Sequence, residues 1–451
     1  MKKRIVCLVL ALLLLGTLTG CALFQTTVED MDEADAAPYY SMGEGFLTAL
    51  FAGDYAACSA LCSEDLRNQM SESDLQSAWE NMRLTYGDPV SVAGQKPYWI
   101  NGEGTVVYQV ACAHGGCSIQ LTYDADNNVA GLWFGLPEED FPYEVAVPEG
   151  VTEIEITLGE GTDTPLKALV TLPADAEGPV PGVVLVHGSG ANDRNEAIGG
   201  CYPFADLAHG LAQRGIASIR YDKRTYTYGN SYTEEEVNAM TAREEVLDDA
   251  QLAIEALAAQ PGVDAERIVV VGHSLGGMLA PRIAQESGGK VASIVSLAGT
   301  ARGYLDVVYD QNMDVAQDDS QRNTIKREYR KAENVLELDA DDTVFGIPAP
   351  YLQDLYSHPV EESLAALSIP ILVLQGENDF QMHTEDFRSW EEALAGYAGP
   401  WEAEMLENLN HLFVDDSALA NRGSLAEYLE EGHVDPGVLD RIAAWIGESV
   451  A

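Results

Sequence analysis

The chain is 451 residues long and carries 73 Asp and Glu against 25 Lys and Arg, a formal net charge of −48. A surface that acidic repels phosphate backbones, which excludes nucleic acid as a partner and disfavours polyanionic substrates. The length allows two or three domains, and a hydrophobic fraction of 46% is enough to give them packed cores.

Lys2, Lys3 and Arg4 open the chain, the apolar run IVCLVLALLLL follows, and LTGC ends at Cys21. A basic start, a short apolar core and a small-residue exit mark an export signal over residues 1–20, too short to be a convincing membrane span. The LTGC stretch resembles the lipobox of bacterial lipoproteins. That resemblance implies a lipid-bearing N-terminus at Cys21 and an extracytoplasmic lipoprotein, anchored on the cell surface or the periplasmic face. The plainer alternative is a secretory signal with a chance cysteine. Two or more acyl chains would anchor the protein stably where one would not. Residues 21–38 are polar and acidic and read as a flexible tether.

Next, YYSMGEGFLTALF and SESDLQSAWENM have helical spacing, and the period then changes to two in GTVVYQVACA, CSIQLTYD and NNVAGLWFG. Ser71 and Ser73 both suit an N-cap, with Gln76 three residues after Ser73 as in a capping box. Helices followed by a meander predict a small α+β domain over 39–136. His114 falls in a turn there with no evident carboxylate partner, so no catalytic constellation is expected in this domain. Of the seven cysteines, Cys7 leaves with the signal, Cys58, Cys62, Cys112 and Cys117 fall in this domain, and Cys201 lies beyond it. Export permits disulfides, a Cys112–Cys117 bridge across CAHGGC among them. Buried thiols are the other reading. A zinc site is disfavoured because neither pair has C-x-x-C spacing.

A proline-bearing linker over 137–149 leads into residues 150–451, where strand and helix patterns alternate. Such alternation predicts an α/β fold, a mostly parallel sheet with helices on both faces. VTEIEITL and LKALVTLP come first, as an antiparallel pair. PGVVLVHGSG, IASIRYDKR, RIVVVGHS, VASIVSLAG and IPILVLQGEND follow as strands, separated by helix-patterned segments.

In a parallel sheet, ligands gather at the carboxyl ends of the strands. There GHSLGG places Ser274 between Gly272 and Gly276, the G-x-S-x-G pattern of a nucleophile elbow. A serine on so tight a strand-to-helix turn crowds its flanks, so the positions two before and two after it must lack side chains. Serine needs a base, and the base an orienting carboxylate. His411, in NLNHLF after a strand-like stretch, is placed to be the base, ahead of His358, His383 and His433. Asp379, just past the strand IPILVLQG, is the expected acid, with Glu377 as runner-up. The tetrahedral intermediate needs two oxyanion donors: the Leu275 amide and, from the loop HGSGAND, the Ser189 amide, with the Gly188 amide as alternative. His187 is expected to shape that loop.

Taken together, HGSGANDR, RYDKR, GHSLGG, LQGENDFQ and NLNHLF resemble the bacterial serine hydrolases of the α/β-hydrolase superfamily, a group described as acyl esterases or filed with serine aminopeptidases. The resemblance covers the C-terminal two-thirds of the chain and carries over Ser274, Asp379 and His411 as the triad. Asp193, Arg194, Asp222, Lys223 and Arg224 match its motifs too and are expected to brace loops. On this fold the insertion over about 301–367 implies a lid, whose Tyr304, Tyr309, Phe345, Tyr351 and Tyr356 either line an acyl pocket or pack the lid's own core. The 39–136 domain resembles, more loosely, the cone-like accessory domain of nuclear-transport-factor type that often precedes such hydrolases.

The expected function is hydrolysis of a small-molecule carboxylic ester through an acyl-enzyme on Ser274. The alternatives are a peptidase acting on short peptides and a surface binding protein whose hydrolase fold is idle. The triad implies no metal and no organic cofactor.

Overall fold

The computed structural model describes residues 28–138, 141–229 and 231–450. Cys7, Cys21, the export signal and the start of the acidic tether lie outside the described residues. No helix among the described residues is long and apolar enough to cross a membrane.

The N-terminal unit begins earlier than the sequence suggests. Residues 28–38, expected to be tether, form a short strand at Val28–Asp30 and the first turns of a helix over Glu33–Phe51. Glu33 and Asp35 sit in that first turn, where carboxylates complement the helix dipole, and Ala36 is buried. Acidity here caps a helix instead of solvating a tether. Three shorter helices follow, Tyr55–Leu61, Glu64–Gln69 and Glu72–Tyr86. The last is closed by a capping box made by Ser71 and Asp74, not by Ser73 and Gln76. Antiparallel strands at Pro89–Ile100, Glu103–Cys112, Gly115–Tyr123 and Val129–Gly135 complete the unit. Their inward residues Val106, Tyr108, Val110, Ile119 and Leu121 pack on Phe46, Leu50 and Trp79. Cys58, Cys62, Cys112, Cys117 and Cys201 are all buried free thiols. In the hairpin Cys112 pairs with Gly115, and Cys117 with Val110. The two thiols thus lie diagonally on one face of the hairpin, in contact with each other, and the bridge considered for them is not formed.

The second unit is built on eight strands: β1 (Val151–Leu158), β2 (Leu166–Pro173), β3 (Val180–Val186), β4 (Ala217–Tyr221), β5 (Val263–His273), β6 (Val291–Leu297), β7 (Ile371–Gly376) and β8 (Trp401–Leu406). They lie in the order β8-β7-β6-β5-β3-β4-β2-β1. β1, β2 and β4 pair antiparallel, and the pairs from β4 across to β8 are parallel. This is the α/β-hydrolase fold. The central strands are apolar throughout because both faces are covered. Val184, Val186, Ile268, Val270, Ile294 and Val373 meet the helices Asp248–Ala258 and Leu275–Glu286 on one face. Val183, Leu185, Val269, Val271, Leu372 and Leu374 meet Pro203–Ala212 and Pro436–Ser449 on the other. Each such side chain, fully buried, contributes about 1.5–3 kcal/mol.

The insertion after β6 carries the helices Tyr304–Val315, Asp319–Tyr329, Ala349–Ser357 and Val360–Ala365. Its own core holds Leu305, Val308, Val335, Phe345 and Leu352, with Tyr309 and Tyr356 packed against it. Arg282 fastens it to the helix after β5 through both oxygens of Asp354, at 2.9 and 3.1 Å.

The antiparallel end of the sheet is fastened by charge. Arg220 on β4 is buried and donates to Glu153 on β1 at 2.6 Å, Thr171 on β2 at 2.7 Å and Asn195 at 3.0 Å. His209 donates to the same Glu153 oxygen at 2.7 Å. Burial alone would raise the Glu153 pKa, but the His209 hydrogen bond and the Arg220 charge outweigh it and hold the carboxyl at about 2. A depressed folded-state value means stability that is complete above the unfolded carboxyl range and lost as pH falls. Glu153→Gln should therefore cost about 3 kcal/mol at pH 7, the usual cost of leaving a buried ion unpaired. In denaturant titrations the gap from wild type should close between pH of about 4.3 and 2.

Candidate active site

Four strand ends deliver the site. β5 stops at His273, and Ser274 turns the chain into the helix Leu275–Glu286 with φ 52° and ψ −116°, a backbone region that costs a non-glycine residue about 1–3 kcal/mol. The crowding foreseen around it is measurable. A Cβ on Gly272 would stand 2.1 Å from the Gly276 carbonyl oxygen, and one on Gly276 would stand 2.2 Å from that of Val186. The Ser274 amide donates to Leu297 O on β6 at 2.8 Å, which holds the turn against the sheet.

β7 ends at Gly376, and Asp379 follows in a tight loop. Its Oδ1 accepts the Gln381 and Met382 amides, both at 2.8 Å, which fixes the plane of the carboxylate. Its Oδ2 accepts from Nδ1 of His411 at 2.8 Å. The loop after β8 reaches this position because Gly376 has no side chain: a Cβ there would stand 2.2 Å from Leu409 O. Asn410 shapes that loop by accepting the Leu412 and Val414 amides at 3.0 and 3.1 Å. The structure therefore brings Asp379 and His411 together at the same sheet edge as Ser274. The His411 ring lies 4.7 Å, centroid to centroid, from that of His273, the residue before the serine, with the two planes tilted by 50°. Glu377 makes no contact with His411; its amide caps the end of β8 through Leu406 O at 2.8 Å.

The other histidines are occupied elsewhere. His358 is exposed and bonded to Asp354 O, His383 pairs with Asp314 at 2.8 Å, and His433 faces Asp206 on the surface. His114 is buried and bonds to Gly199 O at 2.9 Å. His187 is buried deeply enough that its pKa falls to about 4. It is therefore neutral, and its Nε2–H donates to Asp193 O at 3.0 Å.

The loop after β3 is held by buried charge. Lys223 donates to the carbonyls of Gly188 and Gly190 at 2.9 and 3.0 Å and pairs with Glu245 at 3.0 Å. Arg194 grips Asp222 through Nε and Nη2, at 3.0 and 3.2 Å, and Arg224 grips Asp249. Asp193 Oδ1 accepts two loop amides. Gly188 N–H donates to Glu196 at 2.6 Å, which occupies the alternative oxyanion donor. In a trans peptide the N–H points opposite to the carbonyl, so Lys223, by holding Gly188 O, turns the Ser189 N–H the other way. The lid aromatics Tyr304, Tyr309, Phe345, Tyr351 and Tyr356 all pack in or against the core of the insertion, and two of them also reach outward, Tyr304 to Ser189 Oγ at 3.2 Å and Tyr351 to Glu245, to which it donates at 2.6 Å.

Sequence reasoning missed Glu196, His273 and Glu245. All three are buried polar residues whose partners lie on other loops. The only local signal was that GHS and DRNE carry charge-bearing groups where the pattern calls for apolar packing.

The N-terminal unit touches this architecture. Tyr143, in the linker, donates to Asp193 and accepts from Asn195 Nδ2 at 2.8 Å, while Leu84 O accepts from Gly199 N at 2.8 Å. Tyr143→Phe removes one donor and one acceptor from a buried cluster and should lower stability by about 1–2 kcal/mol, read as a lower denaturant midpoint at unchanged slope.

The sequence pattern of the Alpha/beta hydrolase family matches residues 183–421. The chain is 31% identical over 411 residues to Esterase EstD of Thermotoga maritima, spanning 89% of this chain and 93% of that protein. That match is longer than the second unit and takes in much of the first. Solved structures similar to it include the dienelactone hydrolase of Anabaena variabilis, at 16% identity over 67% of this chain and 100% of that one, with a TM-score of 0.38. Est1E of Butyrivibrio proteoclasticus is 16% identical over 66% of this chain and 98% of that one, with a TM-score of 0.43. Through the family match and the extent of its likeness to EstD, the chain belongs to the alpha/beta hydrolase family.

Proposed function

We propose that the protein is a serine hydrolase that cleaves carboxylic esters through an acyl-enzyme on Ser274. The observation that carries this reading is the hydrogen bond from His411 Nδ1–H to Asp379, 2.8 Å long. It places the proton on Nδ1 and leaves Nε2 as the basic nitrogen, the tautomer a general base requires. In the proposed sequence Ser274 Oγ attacks the ester carbonyl while His411 Nε2 takes its proton. The oxyanion then rests on the amides of Leu275 and Ser189. His411 returns the proton to the departing alcohol, and a water activated by the same nitrogen releases the acid. Asp379 stays ionised and holds the ring. The likeness to an esterase over most of the chain favours esters over peptide amides.

The enzyme would work at a membrane surface on the extracytoplasmic side, tethered through a lipid on Cys21; the support for this is the LTGC stretch that ends there. Metabolic labelling with a fatty-acid analogue should mark the wild type and not Cys21→Ser.

Purified protein should turn over short-chain aryl esters and react with a fluorophosphonate, and Ser274→Ala should abolish both. Asp379→Asn should keep the fold and lower kcat about 10⁴-fold by favouring the wrong tautomer. A well-folded wild type that ignores the probe sinks the proposal, and faster cleavage of peptide amides than of esters redirects it to peptidase chemistry.

A further inference from the structure

Glu196 takes no part in the acyl-transfer steps, yet it is buried: one oxygen accepts a hydrogen bond, and the other stands at ion-pair distance from a ring nitrogen without hydrogen-bond alignment. It lies in the loop after β3 at a positive φ of 49°, a conformation the surrounding contacts must hold. Oε1 accepts the Gly188 amide at 2.6 Å. Oε2 meets Nδ1 of His273 at 3.0 Å, each side chain being 7% exposed. His273 in turn reaches the loop after β8, its Nε2 lying 3.0 Å from His411 O.

The protons on His273 follow from its neighbours. A backbone carbonyl can only accept, so Nε2 carries hydrogen. If Nδ1 carried none, its lone pair would face a carboxylate 3.0 Å away in the dry interior. With a proton on both nitrogens, each contact becomes attractive. Burial by itself would discharge the ring, but Glu196 outweighs burial and raises its pKa; Glu196 is correspondingly held low, mainly by His273 against its own burial. The other groups facing the pair are Asp379, which also favours a charged His273; neutral His187, near Glu196; and the His411 ring, 4.7 Å away.

We propose that Glu196 and His273 form a charged pair that positions the site. It ties together the loop that presents the Ser189 amide, the residue before Ser274, and the backbone of the base, His411. Glu196 is thus a positioning residue for the reaction proposed above, and the inference rests on that reading. The pair fixes three loops relative to one another, and its negative end offsets the positive ring that His411 would otherwise meet when it takes up the serine proton. In the proposed sequence His411 holds the serine proton from the attack until the alcohol departs. Without Glu196 the buried ring would discharge and the loops it ties would loosen, which would slow turnover more than it weakens substrate binding.

Two measurements test this. Ring-nitrogen NMR of histidine-labelled wild type, with His273 assigned by its loss in His273→Gln, should show both ring nitrogens still protonated above the ordinary histidine value of about 6.5, the direction in which Glu196 shifts the ring. A single-proton ring at neutral pH overturns the charged pair. In ester kinetics, Glu196→Gln should lower kcat about 10²-fold, as a misplaced loop does, while KM stays within about threefold; Glu196→Asp, too short to span both partners, should not restore it. A Glu196→Gln protein that folds and keeps wild-type kcat overturns the positioning role. If the variant does not fold, the wild-type spectrum still decides the charged pair. A wild type inert to esters and to the fluorophosphonate defeats the enzymatic reading, and the ring spectrum then separates that failure from failure of the pair.

Discussion

The backbone turn at Ser274 is the constraint around which the second unit is arranged. A serine at positive φ is intrinsically unfavourable, and here it is held by hydrogen-bonded neighbours on both sides. β5 pairs with β3 and β6 up to the last residue before the turn, and the helix that follows is buried over most of its length. The strain is thus borne by the stiffest part of the sheet. Because β3, β5, β7 and β8 run parallel, their carboxyl ends open on one edge. The loops bearing Gly188, Ser274, Asp379 and His411 need only short excursions to meet there.

That edge is unusually rich in buried charge. Lys223 with Glu245, Arg194 with Asp222, Arg224 with Asp249, and Glu196 with His273 all lie within or beneath the loops of the site. Buried ion pairs of this kind add little net stability, because desolvation offsets attraction. Their effect is on position: each has a preferred geometry, and losing either partner leaves an unpaired charge. Lys223 and the Asn192 side-chain amide, which donates to Gly188 O and Ser189 O at 3.3 and 3.1 Å, together hold the Ser189 peptide. The N-terminal unit leans on the same segment through Tyr143, Leu84 and His114, so two separately built cores share one boundary beside the site.

Legibility followed locality. The apolar runs of β3, β5, β6 and β7 were readable because a strand covered on both faces needs no alternation. The elbow was readable because glycine is demanded on both sides of Ser274. By contrast, the strand Pro89–Ile100 went unread. Pro89, Gly94 and Pro97 break the pattern, bulges interrupt its pairing, and most of it is not buried. Residues 28–38 looked like tether because acidic residues in a helix's first turn are indistinguishable, one at a time, from acidic residues in coil. Among the aromatics of the insertion no pattern in the sequence marks Tyr304 as the one whose hydroxyl also reaches Ser189.

What the sequence determined by itself was the class of fold, the order of its strands along the chain, and the candidates Ser274, Asp379 and His411. Those rest on periodicity, glycine placement and residue order, which are properties of neighbours in the chain. Only the tertiary structure decided that the Gly188 amide is taken by Glu196, which histidine meets a carboxylate at the sheet edge, and that Glu196 and His273 face each other. These depend on loops separated by scores of residues meeting in a low-dielectric interior, where a single proton or peptide orientation is chosen by whatever lies opposite.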